Sequence, residues 1–213
     1  MPIDRRTFMA RISLGSLATG IPAKAWAQSK ASGPRKVVLG QSVPLTGAAS
    51  EIGLAFAAGA KLYVDAFNAR KNNPGWSFEL RQLDDSYDAG KAAANAKKLL
   101  DDGADVLFGF VGTASADAGS AAAKAGDAVL FGPFAASDTL RDTSHSHVFH
   151  VRPSMADEAF KMVRHCATLG QTRIAVLAED DAMGRAGLAS VSQAIAELKL
   201  PPLVASAFVP VNS

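Results

Sequence analysis

The chain of 213 residues holds a single cysteine, Cys166, so it forms no internal disulfide. That cysteine falls on the inward side of an amphipathic helical pattern. Its neighbour His165 points about 100° away around a helix, so the thiol reads as a small buried apolar group and not as a nucleophile. An excess of charge of one sign is also lacking, since 22 Lys and Arg stand against 20 Asp and Glu. No basic patch gathers, which argues against a nucleic-acid partner. No segment beyond the N-terminal region is long and apolar enough to span a bilayer. Catalytic signatures are missing too: no Gly-x-Gly-x-x-Gly follows the first strand, no Gly-x-Ser-x-Gly elbow occurs, and no metal-ligand cluster stands out. The expectation is a protein without catalytic residues, metal or cofactor.

What is present begins with an address. Asp4-Arg5-Arg6-Thr7-Phe8-Met9 is a twin-arginine pattern, Ile12 to Ala23 is uncharged and mostly apolar, and Ala25-Trp26-Ala27 is a small-x-small cleavage site. Residues 1–27 are therefore expected to be a twin-arginine export signal, cleaved after Ala27, that sends the protein to the periplasm. Its removal takes away four basic residues and one acidic residue, so the formal charge falls from +2 to −1. Residues 28–35 read as a tether.

From Lys36 the pattern is strand, helix, strand, helix, strand, helix, strand, strand. Lys36 to Val43 and Ser77 to Leu83 read as strands, as do the short runs Ala104 to Phe108, Val129 to Phe131 and Val148 to Val151. The first helix is expected to be capped by Ser50, with Ile52, Phe56, Gly59, Tyr63 and Ala66 recurring at helical spacing. Asp88 is expected to cap the second helix, Ala89 to Asp101, while Asp84 and Asp85 face water. His145, His147 and His150 read as solvated loop residues, because no further ligand has a spacing suited to zinc. This order predicts an α/β fold with a parallel sheet and helices on both faces. Past Arg152-Pro153 the pattern restarts. Ser154-Met155-Ala156-Asp157 resembles a capping box, and a helix is expected to run to Leu169 with Ala159, Val163 and Cys166 inward. Strand Arg173 to Ala178, a helix buried through Leu188, Val191, Ile195 and Leu198, and strand Leu203 to Val209 follow. A second sheet with two strands reads as incomplete, so the sequence is expected to be the N-terminal part of a longer protein.

One stretch organises the first half. Gly109-Phe110-Val111-Gly112-Thr113-Ala114-Ser115 leaves a buried strand, turns through two glycines and enters an Ala-rich helix. Free backbone N–H groups and the Thr113 hydroxyl then gather at the positive end of the helix dipole, which suits a carboxylate or a phosphate. Taken alone, the glycines need only make the turn and Thr113 need only cap the helix. However, the loops Pro44 to Ser50, Gly109 to Ser115 and Gly132 to Ser137 all leave the carboxyl ends of strands. They should converge on one rim, where ligands of such sheets bind.

Several short runs, each weak by itself, occur in a specific order. They include Pro44-Leu45-Thr46-Gly47, Gly53 with Gly59-Ala60, Asp84-Asp85 with Asp88, Lys98 to Gly103 before Val106, Gly132-Pro133, Val151-Arg152, and Asp180 to Arg185. In this order the chain resembles the leucine/isoleucine/valine-type solute-binding proteins of ABC transporters over about Lys36 to Val209. The resemblance implies a type I periplasmic-binding-protein fold of two doubly wound parallel-sheet lobes, here 36–152 and 153–213, the second incomplete. It implies capture of a small solute, an amino acid or other small carboxylate, and delivery to an ABC permease of the inner membrane. By position, Thr113 matches the hydroxyl residue that takes the ligand carboxylate, helped by the N–H of Ala114. Ala135, Ala136 and Ser137 match the loop that holds the ligand amino group. Met183 and Ile52 stand where members of the family place aromatic rings. Ser86 and Gly112 stand where related proteins often join a disulfide. A periplasmic sensor feeding a receptor or regulator fits the same fold. An enzyme on a doubly wound sheet, and a product that does not fold, are the remaining readings.

Overall fold

A computed structural model describes residues 35–72 and 75–211. The export signal expected over 1–27 lies outside the described residues, as does the 28–35 tether except for Arg35. Strand β1 (Arg35–Val43) pairs in parallel along its whole length with β2 (Trp76–Asp84), and on its other side with β3 (Val106–Phe108). Strands β4 (Val129–Phe131) and β5 (Val148–Phe149) extend the sheet in the order β2-β1-β3-β4-β5, all parallel. The crossovers are helices α1 (Ser50–Asn68), α2 (Ala89–Asp101) and α3 (Thr113–Ala125). The chain moves outward from β1 to β2, then returns to β3 on the opposite side of β1. The loops after β1 and β3 therefore diverge at a topological switch point, the place where such sheets leave a crevice.

Alternation along the short strands sorts the two faces. Leu107, Leu130 and Val148 point one way and pack with Phe110 against Ala92, Ala96 and Leu99 of α2 and Ala123 of α3. Ala92, Ala96 and Leu99 are the buried residues of α2. Phe108 and Phe131 point the other way and stack, with ring centroids 6.3 Å apart, and Phe56 of α1 stacks on Phe108 at 6.2 Å.

Helix α1 departs from its expected orientation. Ala49, not Ser50, precedes its first turn, and no side chain caps it. The buried positions are Gly53, Ala57 and Val64, whereas Ile52 and Tyr63 are 54% and 63% exposed. The cause is close approach: a Cβ at Gly53 would lie 1.9 Å from the Pro44 carbonyl oxygen. Only glycine fits against the loop there, so Ile52 beside it turns outward, while Phe56 still packs onto the sheet.

The acidic run after β2 also differs from expectation. Asp88 does cap α2, accepting from the Lys91 N–H at 2.7 Å. Asp84 does not simply face water: its carboxylate receives the N–H groups of Leu45, Thr46 and Ser86 and the Thr46 hydroxyl at 2.5 Å. That hydroxyl, more than any other group, holds its pKa well below the ordinary value. Asp85 is buried against the Ser42 hydroxyl and the Tyr87 N–H. The three histidines likewise have partners. His147 Nε2 meets the Ser120 hydroxyl and carbonyl, His145 meets Asp142, and His150 meets the Leu140 carbonyl. Among the described residues, no group of three His, Cys, Asp or Glu is placed to hold a metal ion.

A second parallel pair, β6 (Ala175–Glu179) and β7 (Ala205–Val209), forms its own sheet. Helices α4 (Met155–Thr168) and α5 (Ala182–Glu197) pack together through Val163, Ala194 and Ile195. The predicted capping box is present, with the Ser154 hydroxyl and the Asp157 N–H 3.0 Å apart. Gly170 ends α4 with φ 74°. Cys166 is only half-buried, and so is Leu188, while Ser190 and Ala194 turn inward beside Ile195. Among the described residues, no helix is long and apolar enough to cross a membrane.

Candidate functional site

Two neighbouring cavities open where the carboxyl ends of the first sheet meet the starts of α4 and α5. The larger, about 600 Å³, is lined by Ala48, Ala49 and Ile52 after β1, by Val111 after β3, and by Phe134, Ala135 and Ala136 after β4. Met155, Glu158, Glu179 and Met183 close it from the second half of the chain, with Arg152 at the crossover. The smaller, about 220 Å³, is lined by Gly112, Thr113, Ala114 and Ser115 on one side and by Asp181 and Ala182 on the other. Tyr87 and Gly112 line both. The three rim loops therefore do converge.

Helix α3 begins at the smaller cavity. Its N-cap residue is Gly112 at φ 90°, a conformation that disfavours a side chain, and no side chain caps the helix. The first-turn N–H groups of an α-helix have no partner inside the helix. Thr113 is 5% exposed, and its Oγ1 is buried without a hydrogen-bond partner among the described residues. A buried hydroxyl left unpaired costs about 1–3 kcal/mol. An uncapped helix end whose first residues line a cavity, with a buried and unpartnered hydroxyl beside it, has the chemistry to hold an anion, such as a carboxylate.

The larger cavity is mostly apolar, with its charges at the edge. Arg152 pairs with Glu158 at 2.6 Å and lies over the Phe134 ring at 5.1 Å. Phe134 in turn packs on Phe56 at 5.2 Å. Glu179 forms no ion pair or hydrogen bond through its carboxylate among the described residues, so the edge carries an unbalanced negative charge. Nothing in this set pairs a nucleophile with a base.

A sequence model of periplasmic binding proteins matches residues 36–213. The chain belongs to the periplasmic binding protein family. The solved structures it resembles include periplasmic binding proteins and solute-binding proteins of ABC transporters. They include a possible leucine/isoleucine/valine-binding protein from Rhodopirellula baltica SH 1, at 25% identity and TM-score 0.74, with 82% of this chain and 49% of that one covered. A substrate-binding periplasmic protein from Ralstonia solanacearum matches at 27% identity and TM-score 0.73, covering 83% and 50%. A branched-chain amino acid ABC transporter protein from Thermus thermophilus with bound valine shares the fold at 21% identity and TM-score 0.74, covering 84% and 47%. The chain thus spans about half the length of these structures, and its two sheets are those of the type I periplasmic-binding-protein fold. No curated relative matches.

Within this periplasmic binding protein, the expected site residues divide between the two cavities. Thr113 and Ala114 line the smaller; Ile52, Ala135, Ala136 and Met183 line the larger. Ser137 lines neither, because its hydroxyl turns to Thr139 Oγ1 at 2.7 Å and serves as the cap of a short 3-10 turn. The Ala136 carbonyl accepts from the Met155 N–H at 2.6 Å, which ties the third rim loop to α4. The Ala135 carbonyl has no such partner among the described residues.

Sequence reasoning missed Tyr87. Ser86 and Tyr87 both have left-handed backbones, φ 50° and 63°, which cost about 1–2 kcal/mol each in non-glycine residues. Asp84 and Asp85 hold that turn by accepting the N–H groups of Ser86 and Tyr87. The turn swings the Tyr87 ring onto the bare Cα of Gly112, where an added Cβ would lie 2.6 Å from the ring. The residue facing Gly112 is thus Tyr87, while the Ser86 hydroxyl engages Thr46 and Asp84. The only signal in the sequence was an aromatic residue inside an acidic turn. Arg152, Glu158 and Glu179 were also missed, since charged residues at element ends look alike in sequence whether they face a cleft or water.

Proposed function

We propose that this protein is the extracytoplasmic solute-binding component of an ABC importer. In this reading residues 36–152 and 153–213 belong to two lobes that enclose a small carboxylate-bearing solute, a branched-chain or related amino acid. The observation that carries the reading is the start of α3, an uncapped helix end that lines a cavity and holds the buried, unpartnered Thr113 hydroxyl. The solute's carboxylate would take those donors. Its body would extend toward Ile52, Phe134 and Met183, and a cationic group would lie toward the open carbonyl of Ala135 and the unpaired Glu179. Family membership supports delivery to a permease of the inner membrane, and a periplasmic setting agrees with the twin-arginine pattern over 1–27. The neighbours solved with valine and with 3,4-dihydroxy benzoic acid, at 21% and 22% identity, share the fold alone and do not choose between an aliphatic and an aromatic acid for this chain.

The test is thermal unfolding of the intact protein against aliphatic amino acids, aromatic amino acids and aromatic carboxylates. A true ligand at 100 times its dissociation constant adds about 2.7 kcal/mol to stability. A raised midpoint with a carboxylate, absent with the matching amide, is the expected outcome. A midpoint that no carboxylate moves would contradict the reading.

A further inference from the structure

Tyr87 is the residue that both cavities share with Gly112, and it lies in none of the three predicted rim loops. Its place is fixed from three sides. The Asp85 carboxylate, itself buried against Ser42, accepts the Tyr87 N–H at 2.9 Å. The left-handed backbone at Ser86 and Tyr87 aims the side chain across the sheet end. Gly112 lacks the Cβ that would collide with the ring. Three devices for one side chain exceed what a surface tyrosine needs, and strained backbone of this kind gathers where a group must be held in place. Yet the hydroxyl at the end of this well-held ring forms no hydrogen bond among the described residues. Burial first, and then the carboxylates of Asp181, Glu179 and Asp85, push the phenol's pKa up, so it stays a proton donor.

We propose that Tyr87 is a specificity-determining residue of this cleft. Its ring, seated on Gly112, limits how bulky a body the solute carries behind an anion held at the start of α3. Its hydroxyl donates a hydrogen bond to that solute. This rests on the reading of the cleft given above. The alternative is that the ring is a passive plug over Gly112, and the two predict different binding data. A plug changes stability when it is cut back and leaves the ranking of ligands alone. A specificity-determining wall changes the ranking.

The experiment is calorimetric titration of the intact protein and its Tyr87→Phe and Tyr87→Ala variants with L-alanine, L-leucine and L-phenylalanine. Tyr87→Phe keeps the wall and loses the donor; binding is expected to weaken about tenfold with the order of the three unchanged. Tyr87→Ala joins the two cavities; the ratio of affinities is expected to move at least tenfold toward L-phenylalanine. If Tyr87→Ala does not unfold cooperatively, Tyr87→Leu, which keeps apolar cover on Gly112, is read in the same way. A ranking unchanged in the shortened variant, together with Tyr87→Phe binding within twofold of the wild type, overturns the proposal alone, provided Thr113→Val still weakens binding. Failure of these three amino acids and of the aromatic carboxylates alike to bind the wild-type protein overturns the reading of the cleft, and the proposal with it.

Discussion

The starts of α3 and α5 face each other across the smaller cavity, and they solve the same problem in opposite ways. Helix α5 satisfies its own first turn: the Asp181 carboxylate accepts the Gly184 N–H at 2.7 Å. Helix α3 has a glycine at the equivalent position, no side-chain cap, and a buried threonine hydroxyl with nothing to bond. Helices α2 and α4 follow α5, with Asp88 and the Ser154–Asp157 box. Among the described α-helices only α1, whose first turn borders the larger cavity, shares the bare start of α3. Among the described residues three of five α-helices are capped, so the chain has the residues for capping. The two bare starts lie where a solute would sit. The difference separates helix ends completed by a side chain from ends that border the proposed solute site.

The largest effect should come from removing the glycine that keeps the α3 start bare. Gly112→Ala places a Cβ 2.6 Å from the Tyr87 ring on a backbone at φ 90°. Denaturant unfolding should show a loss of about 2 kcal/mol or more. Thr113→Val keeps the shape of the side chain and deletes the unpaired hydroxyl. Solute binding should weaken by about 1–3 kcal/mol in calorimetry, while the stability of the solute-free protein holds or rises, because the deleted group had no partner to lose. Asp181→Ala should reverse that pattern. Unfolding of the solute-free protein should show a loss of about 1 kcal/mol. Affinity for the solute should hold or rise, since a carboxylate facing the anion site has gone.

The smallest effect is on pH dependence. Burial, the largest cause, raises the Asp85 carboxyl above its ordinary value despite the bonds from Ser42 and Tyr87. A raised folded-state value favours folding at low pH, and that advantage is lost as the pH rises through it. Asp85→Asn keeps an oxygen for the Tyr87 N–H and removes the charge. Its midpoint should exceed the wild type's slightly at pH 7, and the gap should close by about pH 4, near the ordinary carboxylate value. A gap that widens on acidification would show that the carboxylate stabilises the fold.

Much of this was legible in the chain, and the misses share a cause. The order of strands and helices follows from periodicity, and the crevice follows from that order, since loops leaving parallel strands have only one rim on which to meet. The place of Thr113 beside a cavity was legible because the turn before it leaves the carboxyl end of β3. Ile52 was placed at the cleft, yet the face of α1 came out rotated. Spacing reports where large apolar residues recur, and here the contact with Pro44 admits only glycine. Tyr87 was hidden because its position depends on two left-handed residues and on a glycine 25 positions later. Ser137 looked like a ligand group because a hydroxyl in a rim loop looks the same whether it faces the cleft or caps the next turn.

The central claim is that the anion of the solute sits at the start of α3 and not at that of α5. Backbone amide NMR during titration with the carboxylate that raises the unfolding midpoint most tests this directly. The account predicts that the N–H signals of Thr113, Ala114 and Ser115 move downfield as they gain a charged acceptor, while Gly184, already bonded to Asp181, moves little. Large shifts at Ala182 to Gly184 with silent amides at Thr113 to Ser115 would contradict it.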